Sequence, residues 1–261
     1  MTGILELDAL HYKNNSISQY SQAGQLLKLI NIHDSFSILD IGCGHGNILA
    51  ELSTLAPNGK SIGIDSSRNM ISLAQSSFPN EIYKNLFFMQ LNAEQILFSD
   101  QSFDLIICTN VLMWVRKPKP VLEKMCSLLK PNGNIVIFTY PNTTPYAKLF
   151  EKALNYLLPD LQNESAAKTM LSPLEHKEIL LSQGLEISLF SIDDVVFSYE
   201  DEVDFKNYIR GWLGCYAPIP EKFQDAFLDK ICEQAREEGY CDHSGRFSIP
   251  HQTLRIVARI S

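Results

Sequence analysis

Short apolar runs alternate with amphipathic stretches through the first half of the chain. Five runs, at 38–41, 61–65, 86–91, 103–108 and 134–140, are apolar on both faces, which is typical of strands covered by helices on both sides. Helices are predicted at 47–56, 67–78 and 120–129, and each is followed by a proline–asparagine stop signal. Strands that alternate with helices imply right-handed crossovers and a parallel sheet.

This strict alternation ends near residue 140. Helices are predicted at 146–157 and 174–183, and strands at 186–197 and 252–260. Between the two late strands, residues 201–238 are predicted to be mainly helical and are rich in aromatic and acidic residues. A further helix is predicted at 22–30. The 261 residues suffice for one α/β domain with an elaboration or for two small domains.

The composition restricts the classes of partner. A hydrophobic content of 45% and a charged content of 20% are ordinary for a globular protein. The net charge of −8 and the isoelectric point near 5.3 argue against nucleic acid as the main partner, because phosphate binding needs a basic stripe. The basic run at 116–119 is interpreted as a solvated loop before a helix, with a local phosphate contact as the alternative.

The cysteines and the first residues predict the compartment. The six cysteines are scattered without a C-x-x-C pair, so neither disulfides nor a metal site are expected. The N-terminus carries an early acid and no basic region, which is unlike a signal peptide. No apolar run reaches membrane-spanning length. We therefore predict a cytoplasmic protein with no membrane partner.

A glycine-rich turn follows the first strand and leads directly into a helix. Gly42, Gly44 and Gly46 let the backbone come close to a ligand, and the helix points unpaired N–H groups at it. A dinucleotide fingerprint would need its third glycine where Asn47 stands, and no Gly-Lys-Ser/Thr of a P-loop follows. From this segment alone, an ordinary glycine-rich turn without a ligand remains the alternative.

Asp65 ends the second apolar run. A carboxylate at the tip of that strand can accept hydrogen bonds from both hydroxyls of a ribose, because it offers two acceptor oxygens. The alternative is that Asp65 only caps the next helix, which is predicted to begin near Ser67. The distance from the glycine turn favours the nucleoside interpretation.

The pattern Asp-Ile-Gly-Cys-Gly-His-Gly at 40–46 resembles motif I of the class I S-adenosylmethionine methyltransferases, and Asp65 matches their ribose-binding acid. Segments 92–94, 110–111 and 129–134 resemble further motifs of that family, so the resemblance spans about residues 36–140. It implies S-adenosylmethionine as cofactor. The implied cofactor-binding residues are Asp40, Gly42, Cys43, Gly44, Asn47, Asp65, Ser66, Met70, Asn92, Ala93 and Asn110. A structural brace remains the alternative role for Asp40, and core packing the alternative for Met70.

The resemblance also implies the fold. It predicts an α/β, Rossmann-like seven-stranded sheet, mostly parallel with the last strand antiparallel. An N-terminal helical cap would comprise residues 1–35, and the cofactor-binding core residues 36–140. Substrate-side helical inserts and strand six would lie at 141–250, and the final strand at 251–261, all in one continuous domain. Aromatic residues at 205–227 favour a partly apolar substrate pocket, although a packed helical lid would have the same composition.

Two segments indicate the class of substrate. The string Tyr12-x-x-Asn-Ser-x-x-Gln19 resembles the entry segment of the juvenile hormone acid methyltransferase family, and residues 111–115 resemble that family and the trans-aconitate methyltransferases. In these relatives a Gln and a Trp hold the substrate carboxylate. The resemblance implies substrate-binding roles for Tyr12, Gln19 and Trp114. A helix-start role for Gln19 and a core role for Trp114 are the alternatives.

Carboxylate methylation needs no catalytic base, because a carboxyl group with a pKa of about 4 is already ionised at neutral pH. We therefore expect a positioning mechanism without a catalytic residue or a metal, acting on a small molecule. The alternatives are methylation of an amine or a hydroxyl with His11 or His45 as base, methylation of a carbon or of a carrier-protein-bound acid, or a non-catalytic protein that binds S-adenosylmethionine. A dehydrogenase is disfavoured by the misplaced third glycine.

Overall fold

The computed structural model describes residues 24–165 and 168–260, and these form a seven-stranded sheet flanked by helices. The strands are β1 (Ile38–Ile41), β2 (Ser61–Asp65), β3 (Leu86–Gln90), β4 (Phe103–Thr109), β5 (Leu129–Thr139), β6 (Leu185–Tyr199) and β7 (Phe247–Ile260). The helices are α1 (Asn47–Leu55), α2 (Arg68–Ser77), α3 (Pro118–Leu128), α4 (Pro145–Leu157), α5 (Pro173–Ser182), α6 (Glu202–Arg210), α7 (Leu213–Tyr216) and α8 (Glu221–Glu237).

The strand order is β3-β2-β1-β4-β5-β7-β6. Strands β1 to β5 pair in parallel, whereas β7 runs antiparallel to both β5 and β6. This arrangement confirms the predicted mostly parallel sheet with an antiparallel last strand. The helices α6, α7 and α8 lie between β6 and β7, where the helical insert is predicted.

Several element ends differ from the prediction. β7 begins at Phe247 instead of 252, and β6 extends to Tyr199 instead of 197, because the two strands pair along their whole length. α3 begins at Pro118 instead of 120, since proline is well accommodated in the first helical turn. Leu129, predicted as the end of that helix, instead pairs with Phe103 in the sheet.

Two apolar layers enclose the sheet. Leu39 and Ile41 of β1 pack with α3 and α5 on one face, and Ile38 packs with Leu49 of α1 on the other. Successive residues of a strand point to opposite faces, so Asp40 shares the face of Ile38. Asp40 is nonetheless only 2% exposed, which makes it a buried charge at the end of an apolar strand.

A third apolar cluster is formed by the helices α4, α6, α7 and α8 with the adjacent halves of β6 and β7. Its largest fully buried side chains are Phe150, Phe205, Phe227 and Phe247. The helical region predicted at 201–238 is thus three separate helices that pack on α4. Their aromatic residues form a core of their own beside the sheet.

The described part of the chain covers only the end of the predicted N-terminal cap. Residues 24–27 are helical and Leu26 is buried against the sheet, whereas His11, Tyr12 and Gln19 lie outside the described residues. Within 24–165 and 168–260, no helix is long and apolar enough to cross a membrane. All six cysteines are free thiols.

Candidate active site

A cavity of about 510 Å³ opens at the carboxyl ends of β1, β2 and β4. In an open α/β sheet this is the edge at which ligands bind. Every predicted cofactor-binding residue lines it, and so does Trp114. The lining residues predicted from the sequence are Asp40, Gly42, Cys43, Gly44, Asn47, Asp65, Ser66, Met70, Asn92, Ala93, Asn110 and Trp114.

The glycine turn serves both packing and ligand access. Gly44 has a φ of +54°, and a Cβ added there would meet no atom of the described residues within 4 Å apart from its chain neighbours, so this position faces open space in the cavity wall. Gly46 has a φ of +85°, and a Cβ there would lie 2.5 Å from Phe88 Cζ. The two glycines therefore have different functions: Gly44 leaves space for a ligand, and Gly46 allows close packing against the core.

This difference leads to a prediction for two matched variants. Gly46→Ala should destabilise the protein by about 3 kcal/mol, because overpacking adds to left-handed strain. Gly44→Ala should cost only about 1 kcal/mol of strain but should lower S-adenosylhomocysteine affinity, because its methyl group occupies ligand space. Urea unfolding without ligand and titration calorimetry measure the two effects. Equal losses of stability in both variants would contradict the assignment.

Asp65 links the glycine turn to α2. Its Oδ2 accepts a hydrogen bond from the Gly44 N–H at 3.0 Å, and its Oδ1 accepts one from the Ser67 N–H at 2.8 Å. The Ser67 hydroxyl itself caps α2 by accepting from the Met70 N–H at 3.3 Å. A carboxylate has about four acceptor sites, so Asp65 keeps capacity for a ribose. Burial raises its pKa, opposed by its backbone hydrogen bonds.

Asp40 is a buried carboxyl group with an unsatisfied oxygen. Its Oδ1 has no hydrogen-bond partner among the described residues. Burial, together with the negative charge of Asp65, raises the pKa of Asp40 to about 7. A buried carboxylate is stable only when a cation or donors compensate it. This position therefore fits a ligand that brings a positively charged group.

Three further predicted cofactor residues are two asparagines on loops and a methionine in the first turn of α2. Asn92 Oδ1 accepts from the Glu94 N–H at 2.8 Å and starts a short 3₁₀ turn, so its amide nitrogen stays available as a donor. Asn110 has a φ of 58°, a left-handed conformation that asparagine tolerates, and its Oδ1 is buried without a partner among the described residues. Met70 is fully buried on α2 and also lines the cavity, a position compatible with both of its predicted roles.

The cavity continues past the cofactor residues to a second, aromatic part. Trp114 is half-buried on a 3₁₀ turn after β4, and its ring centroid lies 5.4 Å from that of Trp212. Tyr208, Trp212 and Tyr216 of the aromatic stretch at 205–227 line this part, as do residues for which no role was predicted: Tyr140, Thr144, Tyr146, Cys215 and His251. The aromatic composition of 205–227 indicated part of this wall, but no local pattern identified Tyr146 or His251.

The cavity wall also contains an arginine and a histidine. Arg116, predicted in a solvated loop, is exposed, lines the cavity and forms an ion pair with Glu164 at 2.9 Å. His45 also lines the cavity. Within the described ranges, no three His, Cys, Asp or Glu side chains are grouped in a way that would hold a metal ion.

Comparison with known proteins agrees with this geometry. The profile of the methyltransferase domain family matches residues 32–184. The chain is 23% identical over 222 residues to the putative methyltransferase 235L of Invertebrate iridescent virus 6, across 84% of this chain and 82% of that protein. It is 26% identical over 243 residues to trans-aconitate 2-methyltransferase of Escherichia coli O1:K1, across 91% of each.

A solved structure, the YcgJ protein from Bacillus subtilis, has a TM-score of 0.66 at 18% identity and covers 92% of this chain and 98% of that chain. The sheet and its cavity thus define a Rossmann-like nucleoside-binding enzyme fold. The chain belongs to the methyltransferase domain family, whose profile matches more than half of it. It is an S-adenosylmethionine-dependent methyltransferase, and S-adenosylmethionine is its cofactor.

Proposed function

We propose that this methyltransferase transfers the methyl group to a carboxylate oxygen of a small molecule. The observation that carries the proposal is the position of Trp114, which lines the same cavity as the cofactor residues on the segment that follows β4. Its indole N–H is a donor suited to an anionic oxygen. The similarity to a protein named trans-aconitate 2-methyltransferase, over 91% of the chain, supports a carboxylate acceptor.

The residues around the cavity fit the cofactor. The unsatisfied Asp40 oxygen suits the ammonium group of the methionine moiety, Asp65 suits the ribose hydroxyls, and the Asn92 amide suits an adenine edge. The Gly44 position leaves room for a close approach to the backbone. When bound, S-adenosylmethionine supplies an electrophilic methyl group on a sulfonium.

The protein then needs to hold an already ionised oxygen in line with that methyl group and to keep water away. Trp114 would donate one hydrogen bond to the carboxylate, with Gln19 as the predicted second donor. Arg116, on the same loop as Trp114, also lines this end of the cavity, and its charge is paired with Glu164. The aromatic walls exclude water from the reacting atoms.

Trp114→Phe should test the carboxylate anchor, because it keeps an aromatic ring and removes the N–H donor. We expect kcat/KM for the acceptor acid to fall about 10- to 100-fold, as for a lost hydrogen bond to a charged group, with S-adenosylhomocysteine affinity unchanged. Radiolabelled methyl transfer to panels of carboxylic acids, amines and phenols measures the first effect. Tyr156→Phe, at a site 70% exposed, is the control.

Methyl label in amines or phenols but in no carboxylic acid would overturn the carboxylate proposal. A parallel loss of S-adenosylhomocysteine affinity in Trp114→Phe would instead show that Trp114 belongs to the cofactor site. Calorimetry on both variants separates these outcomes.

A hydroxyl or amine acceptor is the second candidate function, because His45 lines the cavity and can serve as a base. His45→Asn would then lower kcat steeply and remove the acidic limb of the pH–rate profile. Carboxylate methylation should tolerate this change, since no proton has to leave the acceptor.

We also propose that the reaction takes place in a reducing cytoplasm. The six cysteines are unpaired, and Cys43 and Cys215 line the cavity. Oxidation of thiols at these positions would change the shape of the site, so a reducing compartment suits this protein.

A further inference from the structure

The cavity ends in a group of rings that we call the aromatic chamber: Tyr140, Tyr146, Tyr208, Trp212 and His251, all of which line the cavity. It is connected to Trp114 by consecutive ring contacts. The Trp114 and Trp212 centroids are 5.4 Å apart, those of Trp212 and Tyr146 are 5.3 Å apart, and those of Tyr146 and His251 are 4.7 Å apart. Because these rings line the same cavity as Trp114, an acceptor held at Trp114 can extend into the chamber.

Three polar atoms of the chamber are unsatisfied. Tyr146 Oη, Trp212 Nε1 and His251 Nε2 are buried and have no hydrogen-bond partner among the residues that the structure describes. Tyr146 and His251 are only 5% and 6% exposed. A buried polar atom without a partner costs about 1–3 kcal/mol, so phenylalanine or leucine would be better if the wall only excluded water. Three such atoms on contacting rings indicate a binding function.

The polar groups of the aromatic chamber carry no positive charge. Burial lowers the pKa of His251 to about 3 and raises that of Tyr146 well above its ordinary value, so both are neutral near pH 7. The charged lining residues are Asp40, Asp65, Glu94 and Arg116, and Arg116 belongs to the Trp114 loop. A second carboxylate would therefore enter the chamber without a counter-charge, at a high desolvation cost.

The donors also disfavour a cation. The Trp212 Nε1–H can only donate, so the ligand atom that it meets has to be an acceptor, which an ammonium group is not. A hydroxyl oxygen can accept from Trp212 or Tyr146 and donate to an unprotonated imidazole nitrogen. A carbonyl oxygen can accept from both donors. The chemistry of the three atoms thus selects an uncharged oxygen.

We propose that the aromatic chamber is a second anchor of the acceptor site and binds an uncharged oxygen, a hydroxyl or a carbonyl, remote from the methylated carboxylate. This inference rests on the proposed function and names its substrate class, which is monocarboxylic acids with a distal uncharged oxygen. Polycarboxylic acids such as trans-aconitate are then poor acceptors for this protein.

Binding to the protein saturated with S-adenosylhomocysteine tests the inference without turnover. The probes are ω-hydroxy fatty acids, ω-oxo fatty acids and the unsubstituted fatty acids of the same length, from six to twelve carbons, with trans-aconitate as a further probe. At the length that reaches the chamber, we expect an oxygenated acid to bind about 10-fold more tightly than its parent acid, the effect of one added hydrogen bond. Trans-aconitate should bind more weakly than either.

Titration calorimetry measures these affinities. Because both tryptophans of the chain, Trp114 and Trp212, line the cavity, tryptophan fluorescence provides an independent reading. Tyr146→Phe and Trp212→Phe each keep an aromatic ring and remove one polar atom, and His251→Phe keeps a ring and removes both imidazole nitrogens. Each variant should reduce the preference for the oxygenated acid. Phe197→Leu, which removes an apolar ring whose centroid is 4.4 Å from that of His251, is the matched control and should leave the preference intact.

The inference is overturned if no acid binds, if each pair binds equally at every length, or if all three polar variants keep the preference. S-adenosylhomocysteine affinity checks that each variant is folded, and any one folded polar variant suffices for the comparison. Methyl ester analysis separates the two proposals. A retained binding preference without ester formation refutes only the carboxylate proposal, whereas equal binding with ester formation refutes only the chamber.

Discussion

Replacement of Asp65 by alanine is expected to lower S-adenosylhomocysteine affinity by about 100-fold or more, as measured by calorimetry. Two hydrogen bonds from ribose hydroxyls to a carboxylate contribute about 1.5–3 kcal/mol each, and both are lost. Asp65 also accepts a hydrogen bond from the Gly44 N–H at 3.0 Å, so the glycine turn loses one of its hydrogen bonds to β2 at the same time. Both effects act in the same direction on cofactor affinity.

Two further variants separate these contributions. Asp65→Asn keeps the shape and one acceptor oxygen but loses the charge, and it should have an intermediate affinity. Ser67→Ala removes the α2 cap and should lower stability by about 1 kcal/mol with little effect on affinity. If Ser67→Ala weakened cofactor binding as much as Asp65→Ala, Asp65 would act only as a structural link between the turn and α2.

Replacement of Asp40 by asparagine is expected to stabilise the ligand-free protein at alkaline pH and to weaken cofactor binding. The pKa of Asp40 is raised from 3.8 to about 7 by burial and by Asp65. A group with a raised pKa in the folded state contributes stability that is complete at low pH and is lost as the pH rises through the folded pKa. Above pH 7 the ionised form costs roughly 4 kcal/mol, which asparagine avoids.

The measurement is urea unfolding of both proteins between about pH 5 and pH 8, without ligand. The difference in stability should grow in favour of Asp40→Asn as the pH rises. A difference that is independent of pH would show that Asp40 is already ionised in the folded protein at about pH 5, so that its pKa is not raised into this range.

The same residue should make cofactor affinity depend on pH. Binding of an ammonium group favours ionised Asp40, so the wild-type protein should bind S-adenosylhomocysteine more tightly as the pH rises from about 6 to about 8 and should release protons on binding. Calorimetry in buffers of different ionisation enthalpy measures this release. Asp40→Asn should show neither effect, and a pH-dependent affinity in that variant would assign the proton to another group.

The two acids show how far the sequence allowed the site to be predicted. Asp65 had two predicted functions, a ribose ligand or a helix cap, and the structure shows hydrogen bonds to Gly44 and Ser67 that leave acceptor capacity for a ribose. Asp40 was predicted as a structural brace or as a cofactor-binding residue. Its unsatisfied oxygen and its raised pKa, which depend on complete burial, favour the second function.

Local requirements explain why the fold and the cofactor side were predictable. Strand and helix periodicity, stop signals and glycines at positions with positive φ are constraints on neighbouring residues, and they place the cofactor residues at the ends of successive parallel strands. The length of the β6–β7 pair was underestimated, because pairing between strands distant in sequence decides where each one begins.

By itself, the sequence, through its family resemblance, predicted a mostly parallel seven-stranded sheet, which the structure confirms, and a cofactor site at the ends of β1 and β2, where the predicted residues line the cavity. Only the tertiary structure decided the aromatic chamber. The contacting rings come from four distant parts of the chain. Trp114 lies on a loop after β4 and Tyr146 on α4, whereas Trp212 lies at the α6–α7 junction and His251 on β7. Their contacts follow from the packing of the insert helices on the sheet, and the burial that leaves three polar atoms unsatisfied exists only after that packing.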